Sequence, residues 1–281
     1  MIGTGLDEDG CIAREGSLER VTAEYAPVVD AARARIAAAF GPARLHSAYL
    51  YGSIPRGTAI PGVSDLDLLL ALHRPPTPDD RAAADALEAA LDAAFPQIDG
   101  VGVLLFDTTT LLSELERHDL GWFLACLCTP LLGEDLAGQL PRYRPTSLLA
   151  RETNGDLALA LPRWRERLAA ARPGGGRPGA AAAEGELRAL SRAVSRRLVR
   201  TGFTLVMPRW NGWTSDLTAS AEAFAAHYPD RADQMRLAAA VARTPTTDHA
   251  VLAALIDDLA PWLAAEYTAV HGTKAPRPEA T

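Results

Sequence analysis

The chain has 281 residues, 48% hydrophobic and 22% charged, enough for two globular domains or one large one, and its three cysteines (Cys11, Cys126, Cys128) exclude a disulfide framework. The net charge of −7 is uneven: residues 1–145 carry 11 basic and 21 acidic side chains, a balance of −10, and residues 146–281 carry 17 and 14, a balance of +3. An acidic first half is a poor holder of long nucleic acid and suits a cationic small molecule, while the mildly basic second half leaves an RNA partner open.

The first residues, MIGTGLDEDG, have neither a basic region nor an apolar core of signal type, and no run approaches 18 apolar residues. The expectation is a cytoplasmic, reduced protein with no membrane partner. Residues 1–16 read as a mobile N-terminus. From Ser17 the Ala-rich apolar spacing predicts a helix that stops at Gly41-Pro42, with Pro27 kinking it or beginning its second half.

An apolar run from Leu45 to Tyr51 predicts the first strand, and it ends in Gly52-Ser53. A loop of Gly, Pro and small residues follows, closed near Gly57-Thr58. A second strand is predicted from Ser64 to Leu72, opening with Asp65-Leu66-Asp67. Side chains at i and i+2 share a face in a strand, so the two aspartates stand together and Leu66, Leu68 and Leu70 take the other face. Two carboxylates held that close repel unless a cation lies between them, and Mg²⁺ takes one or two carboxylates and completes its shell with water and phosphate oxygens. An Asp-x-Asp alone is common on solvated surfaces. Here it starts an apolar strand and follows a Gly-Ser turn by 12 residues.

Gly52-Ser53, Gly57 and Ser64-Asp65-Leu66-Asp67 resemble the signature of the DNA polymerase β-like nucleotidyltransferase superfamily, closely over about 25 residues and loosely over the first 140. The resemblance implies an α/β (α+β) catalytic domain with a short mixed sheet, over residues 17–145. It implies Mg²⁺ at Asp65 and Asp67, two ions when nucleotide is bound, with ATP as co-substrate. Gly52 and Ser53 would hold the β- and γ-phosphates through amides and a hydroxyl, with Gly57 and Ser64 completing that nucleotide-binding stretch. Arg56, in the same loop, either reaches a phosphate or is solvated.

Thr77-Pro78-Asp79-Asp80 is a helix start, with Thr as cap, Pro in the first turn and acids beside it. The helix runs to about Pro96, and a third strand is predicted over Ile98–Phe106, so strand, helix and strand form a crossover unit. The superfamily usually supplies a third carboxylate from this strand. Asp99, at its start, is the first candidate, as metal ligand or as base for the attacking hydroxyl. Asp107 is the competitor and is also placed to cap the next helix. Residues 109–128 read as helix with Cys126 and Cys128 in the core, and Leu140–Pro145 reads as a boundary.

Residues 146–272 read as an all-α helical domain. Residues 146–171 give one long helix or two, 171–179 a flexible loop and 273–281 a disordered tail. Arg188, Arg192, Arg196 and Arg200 recur every four residues, with Arg197 beside them. Such a stripe is either a solvated face or, as the superfamily resemblance implies, a source of cations for the triphosphate, with Arg192 and Arg196 central. Trp210 and Trp213, around Asn211-Gly212, either line a substrate pocket or pack between helices. The remaining helices are expected over 214–227, 230–243 and 247–270.

The chemistry implied is transfer of a nucleoside monophosphate, AMP in the first instance, to an acceptor hydroxyl with loss of pyrophosphate. Length and a helical second half resemble bacterial antibiotic nucleotidyltransferases, such as those that adenylylate streptomycin and spectinomycin, so a small-molecule acceptor is expected and DNA is not. Transfer to RNA, tRNA or a protein hydroxyl is the alternative, and a nucleotide-binding regulatory module without turnover is a third reading.

Overall fold

In the computed structural model the described residues are 5–171 and 180–277. The chain divides into two units, one of residues 11–143 and one of residues 5–10 with 144–277.

The first unit is built on a four-stranded mixed sheet of order β3-β2-β1-β4, with β1 Leu45–Tyr51, β2 Leu66–Leu72, β3 Val101–Asp107 and β4 Thr129–Gly133. β1 pairs antiparallel with both β2 and β4, and β2 pairs parallel with β3 through the crossover helix α3, Pro78–Ala94. Alternation along β2 separates two cores. Leu66, Leu68, Leu70 and Leu72 face α1 (Ala26–Arg44) and α3, with Val28, Ile36 and Leu87. Leu69 and Ala71 join Tyr49, Leu111 and Leu124 on the other face, beneath α4 (Thr108–Leu111) and α5 (Leu120–Leu127). The outer edge of β3 is covered at Val103, whose N–H donates to Glu88 and whose carbonyl accepts from Arg81, both on α3. Such cover removes an open edge to which another strand could add.

Several boundaries differ from the sequence reading. The first helix begins at Ala26, with Pro27 in its first turn, and a 3₁₀ turn at Leu18–Arg20 occupies part of the stretch before it. Gly41 breaks the helical backbone at φ 61°, and one further turn carries the chain to Arg44. β2 opens at Leu66, so Asp65 precedes the strand and Asp67 lies inside it. β3 begins at Val101, three residues later than expected, which leaves Asp99 before it. The stretch 109–128 is two short helices with turns between them. β4 is a strand that the sequence reading does not predict, and its Pro130 is tolerated because β4 is an edge strand.

Residues 11–16, expected to be mobile, belong to this unit. Ile12 N–H donates to Tyr143 O at 2.7 Å, Glu15 N–H to Cys126 O at 2.9 Å and Ser17 N–H to Pro55 O at 2.9 Å. Cys11 and Ile12 are buried, and Arg14 pairs with Asp135 at 2.8 Å. Cys126 and Cys128 are buried too, as expected of core residues. Residues 1–4 lie outside the described residues.

Thr77 and Asp80 form the predicted reciprocal cap of α3, and Asp80 also accepts both arms of Arg44, with Nε at 2.8 Å from Oδ1 and Nη2 on Oδ2. The side chain of Asp80 is only 9% exposed. The Arg44 guanidinium holds the Asp80 carboxyl well below the usual carboxylate range. A depressed folded pKa gives stability that is complete above the unfolded value of about 3.9 and is lost as pH falls below it. Asp80→Ala leaves the Arg44 guanidinium only the carbonyls of Arg74 and Pro75 and uncaps α3, so urea unfolding at pH 7 should show a loss of about 2–4 kcal/mol, from a charge-assisted pair and a helix cap together. A loss below about 1 kcal/mol would show that the pair is no more than a surface ion pair.

The second unit is helical: α6 Ser147–Asn154, α7 Leu157–Ala170, α8 Ala180–Trp210, α9 Leu217–Ala225, α10 Ala232–Arg243, α11 His249–Ala254 and α12 Ala260–His271. Residues 146–171 are therefore two helices, broken at Gly155-Asp156. A π-helical turn, Leu255–Leu259, joins α11 to α12 just before Pro261, whose missing N–H cannot continue the α-helical ladder. Tyr267 O–H lies within hydrogen-bonding distance of Ala150 O and Thr204 Oγ1, and Asn154 donates to the same threonine, so one buried polar cluster ties α6, α8 and α12. The segment 273–277 is held, with Lys274 N–H on Gly155 O and Ala275 N–H on Glu152. The loop expected at 171–179 and the tail beyond 277 lie outside the described residues, apart from Ala171. No helix among the described residues is long and apolar enough to cross a membrane.

Candidate functional site

The site lies at the end of β1 and the start of β2, where the sheet brings two ends of the motif together. Tyr51, the last residue of β1, pairs with Asp67, so the Gly52-Ser53 turn leaves the sheet beside Asp67. Gly52 has φ 83° and ψ −151°, a region in which only glycine is at ease. A methyl group on Gly52 would stand 2.3 Å from Asp67 Oδ2, so the carboxylate lies directly over the glycine backbone.

Ser53 opens a one-turn helix, α2, Ser53–Arg56, closed by Gly57 in the left-handed conformation. The carbonyl of Ser53 accepts from Thr58 N–H at 3.1 Å, and the turn is fastened to the sheet by buried Ile54 and Pro55. Arg56 Nε donates to Gly52 O at 2.9 Å, and its Nη1 lies 3.8 Å from Glu15 Oε2. Arg56 thus braces the turn from behind. Glu15 is a neighbour that sequence reasoning misses, because nothing local marks residues 11–16 as ordered. Ser64 closes the loop: its Oγ accepts from Ile60 N–H at 2.9 Å, and its carbonyl accepts from Asp99 N–H at 3.0 Å.

On the other side of Asp67 is β3. Asp67 stands opposite Gly102, and a methyl group on Gly102 would come no closer than 3.9 Å to Asp67 Oδ1. A methyl group on Gly100 would lie 3.7 Å from Asp65 Oδ1. Asp65 and Asp67 therefore share a shallow cradle floored by Gly52, Gly100 and Gly102. Two hard carboxylate donors whose oxygens stand beside glycine, not beside bulkier side chains, at positions 52, 100 and 102 fit Mg²⁺, which completes its shell with water and phosphate oxygens.

Asp99 is exposed and precedes β3 at the Asp65 end of the sheet. Asp107 is at the far end, opposite Leu72, and is 6% exposed. It caps α4, accepting from Thr110 N–H at 3.0 Å and Thr110 Oγ1 at 2.7 Å. Burial pushes its carboxyl up, but these bonds outweigh burial and hold it below the usual range. Asp107 is a helix cap remote from the acid pair. Among the described residues no three His, Cys, Asp or Glu side chains gather as a metal-binding group.

The other sequence candidates lie in the helical unit. Arg192 and Arg196 are half-buried on α8, and Arg188 and Arg200 are exposed. Arg197, beside them, is paired with Asp156 at the start of α7. α8 continues through Pro208 to Trp210, and Asn211 at φ 52° ends it. Trp210 and Trp213 both meet Phe203 edge to face at centroid distances of 5.5 Å, and Trp213 is buried, which is the geometry of aromatic packing between turns of chain.

A short mixed sheet followed by a largely helical region is the architecture that the motif resemblance implied. No family model matches the chain, and no curated protein matches it. Among solved structures, it is similar to spectinomycin adenyltransferase AAD(9) from Enterococcus faecialis, determined with ATP and spectinomycin, at 12% identity and a TM-score of 0.49, over 86% of this chain and 98% of that one.

Proposed function

We propose that the chain is a metal-dependent nucleotidyltransferase that moves a nucleoside monophosphate, AMP from ATP, onto a hydroxyl of a small molecule such as an aminoglycoside. The observation that carries this reading is the placement of Asp67 directly over Gly52, which joins the acid pair and the Gly-Ser turn into one cradle. Asp65 and Asp67 would hold Mg²⁺, and Mg²⁺ bound there supplies positive charge against the reacting phosphates. The Gly52 turn and the Ser53 hydroxyl bind and orient the β- and γ-phosphates. The acceptor hydroxyl attacks the α-phosphorus in line, pyrophosphate leaves, and the hydroxyl proton passes to Asp99. The chain's contribution is position and electrostatics rather than covalent chemistry.

The acidic balance of residues 1–145 favours a cationic acceptor over a nucleic acid. The direct experiment incubates the protein with α-labelled ATP, Mg²⁺ and a cell extract, then separates small molecules, RNA and protein. Label in the small-molecule fraction is expected. Label in RNA or protein alone would replace the acceptor class, and binding of Mg-ATP with no pyrophosphate release on any fraction would leave a regulatory module instead. Asp99→Asn should lower the transfer rate by about 10²–10⁴-fold, the worth of a general base, with the Kd for Mg-ATP by calorimetry unchanged. A normal rate in that variant would remove Asp99 from the reaction.

A further inference from the structure

Sheet order fixes the two sides of Asp67. β1 lies on one side of β2 and β3 on the other, so one carboxylate oxygen of Asp67 faces the Gly52 turn and the other faces Gly102. In-line displacement places the entering and leaving oxygens on opposite sides of the phosphorus. If the leaving pyrophosphate is held at the Gly52-Ser53 turn, the entering hydroxyl comes from the β3 side.

On that side the chain presents glycine. Gly100 and Gly102 flank the acid pair, and neither has a positive φ that would demand glycine. A methyl group at either would find only ordinary contact distances, 3.7 Å and 3.9 Å to the aspartate oxygens. Packing within the fold therefore does not require glycine at these positions. Glycine inside a strand weakens it, and it marks places where a ligand or another backbone comes close. Further along the same face of β3 is Leu104, which is 36% exposed although it sits in the sheet. β3 is the terminal strand of the sheet, and the α3 side chains that cover its edge do so at Val103, beyond Gly102.

We infer that Gly100 and Gly102 form the acceptor floor and set its specificity, admitting a hydroxylated small molecule whose apolar edge lies along Gly102 and Leu104. This rests on the nucleotidyl-transfer reading above. In the step, the acceptor oxygen bonds to the α-phosphorus, and the bond from that phosphorus to the bridging oxygen breaks. Pyrophosphate leaves with the electron pair, and the hydroxyl proton goes to Asp99 at the head of the strip. A bulky side chain at Gly102 would close the path of the acceptor while leaving the turn that holds the phosphates untouched.

The test compares wild type with Gly102→Ala and Gly102→Val. Three quantities are measured: the melting temperature, the Kd for Mg-ATP by calorimetry, and transfer of α-labelled AMP to a small-molecule cell extract. The expected result is a melting temperature at or above that of wild type in Gly102→Ala, and transfer in Gly102→Val reduced at least tenfold more than the Kd for Mg-ATP is weakened. Transfer within twofold of wild type in a folded Gly102→Val would overturn the inference. So would a Kd that weakens as much as transfer falls, since the floor would then belong to the nucleotide. A wild type that neither binds Mg-ATP nor labels the extract would refute the nucleotidyl-transfer reading itself, and that failure is visible before any variant is examined.

Discussion

Asp67→Asn is expected to reduce nucleotidyl transfer by on the order of 10³-fold or more, the scale seen when one preorganised charge-stabilising group is removed, without unfolding the protein. Asn keeps the shape of the side chain over Gly52 and on the face of β2 opposite Leu66 and Leu68. What it loses is the negative charge of one of the two carboxylates in the cradle. Asp65→Asn should behave alike, and the double variant should be little worse than either single one, because residues acting as a unit are not additive. Three readouts separate the causes: circular dichroism for the fold, calorimetric titration of Mg-ATP for binding, and pyrophosphate release for turnover. Wild-type turnover in either folded variant would show that the acid pair does not hold the metal.

Features held by local chemistry were legible in the sequence. Thr77, Pro78 and Asp80 lie within four residues, and their cap needs nothing from elsewhere. The Gly52-Ser53 turn and Asp65-x-Asp67 are equally short, and β1–β2 pairing only had to bring them together. What was not legible depends on partners far along the chain. Thr129–Gly133 contains Pro and Gly and is a strand only because β1 offers it an edge. Residues 11–16 read as part of a mobile end, yet Ile12, Glu15 and the adjoining Ser17 are bonded to Tyr143, Cys126 and Pro55. Ile98, Val101 and Val103 are all apolar and predict a strand from Ile98, whereas pairing with β2 starts only at Val101, opposite Leu66. That later start moves Asp99 off the strand and puts glycine beside the acids. Trp210 and Trp213 could not be assigned from sequence, since their surroundings depend on Phe203, seven and ten residues earlier.

Gly52→Ala is expected to damage both stability and activity, and a matched control can separate the two. Gly52 and Gly41 occupy the same glycine-only region, at φ 83°, ψ −151° and φ 61°, ψ 168°. Alanine in that region costs about 1–3 kcal/mol of backbone strain. At Gly41 nothing lies within 4 Å of the added methyl group, so strain is the whole effect. At Gly52 the methyl group would stand 2.3 Å from Asp67 Oδ2, nearer than any carbon can approach an oxygen without a bond. Either the turn or Asp67 must move, and a displacement of about 1 Å in a positioned group costs roughly 10²-fold in rate. Gly41→Ala should therefore lose stability and keep Mg-ATP binding and turnover. Gly52→Ala should lose at least as much stability, bind Mg-ATP more weakly, and turn over at least about 10²-fold more slowly. If the two variants lost the same stability and both kept wild-type turnover, the contact between Asp67 and the glycine turn would be a feature of packing, and the cradle would lose its claim to be the reaction centre.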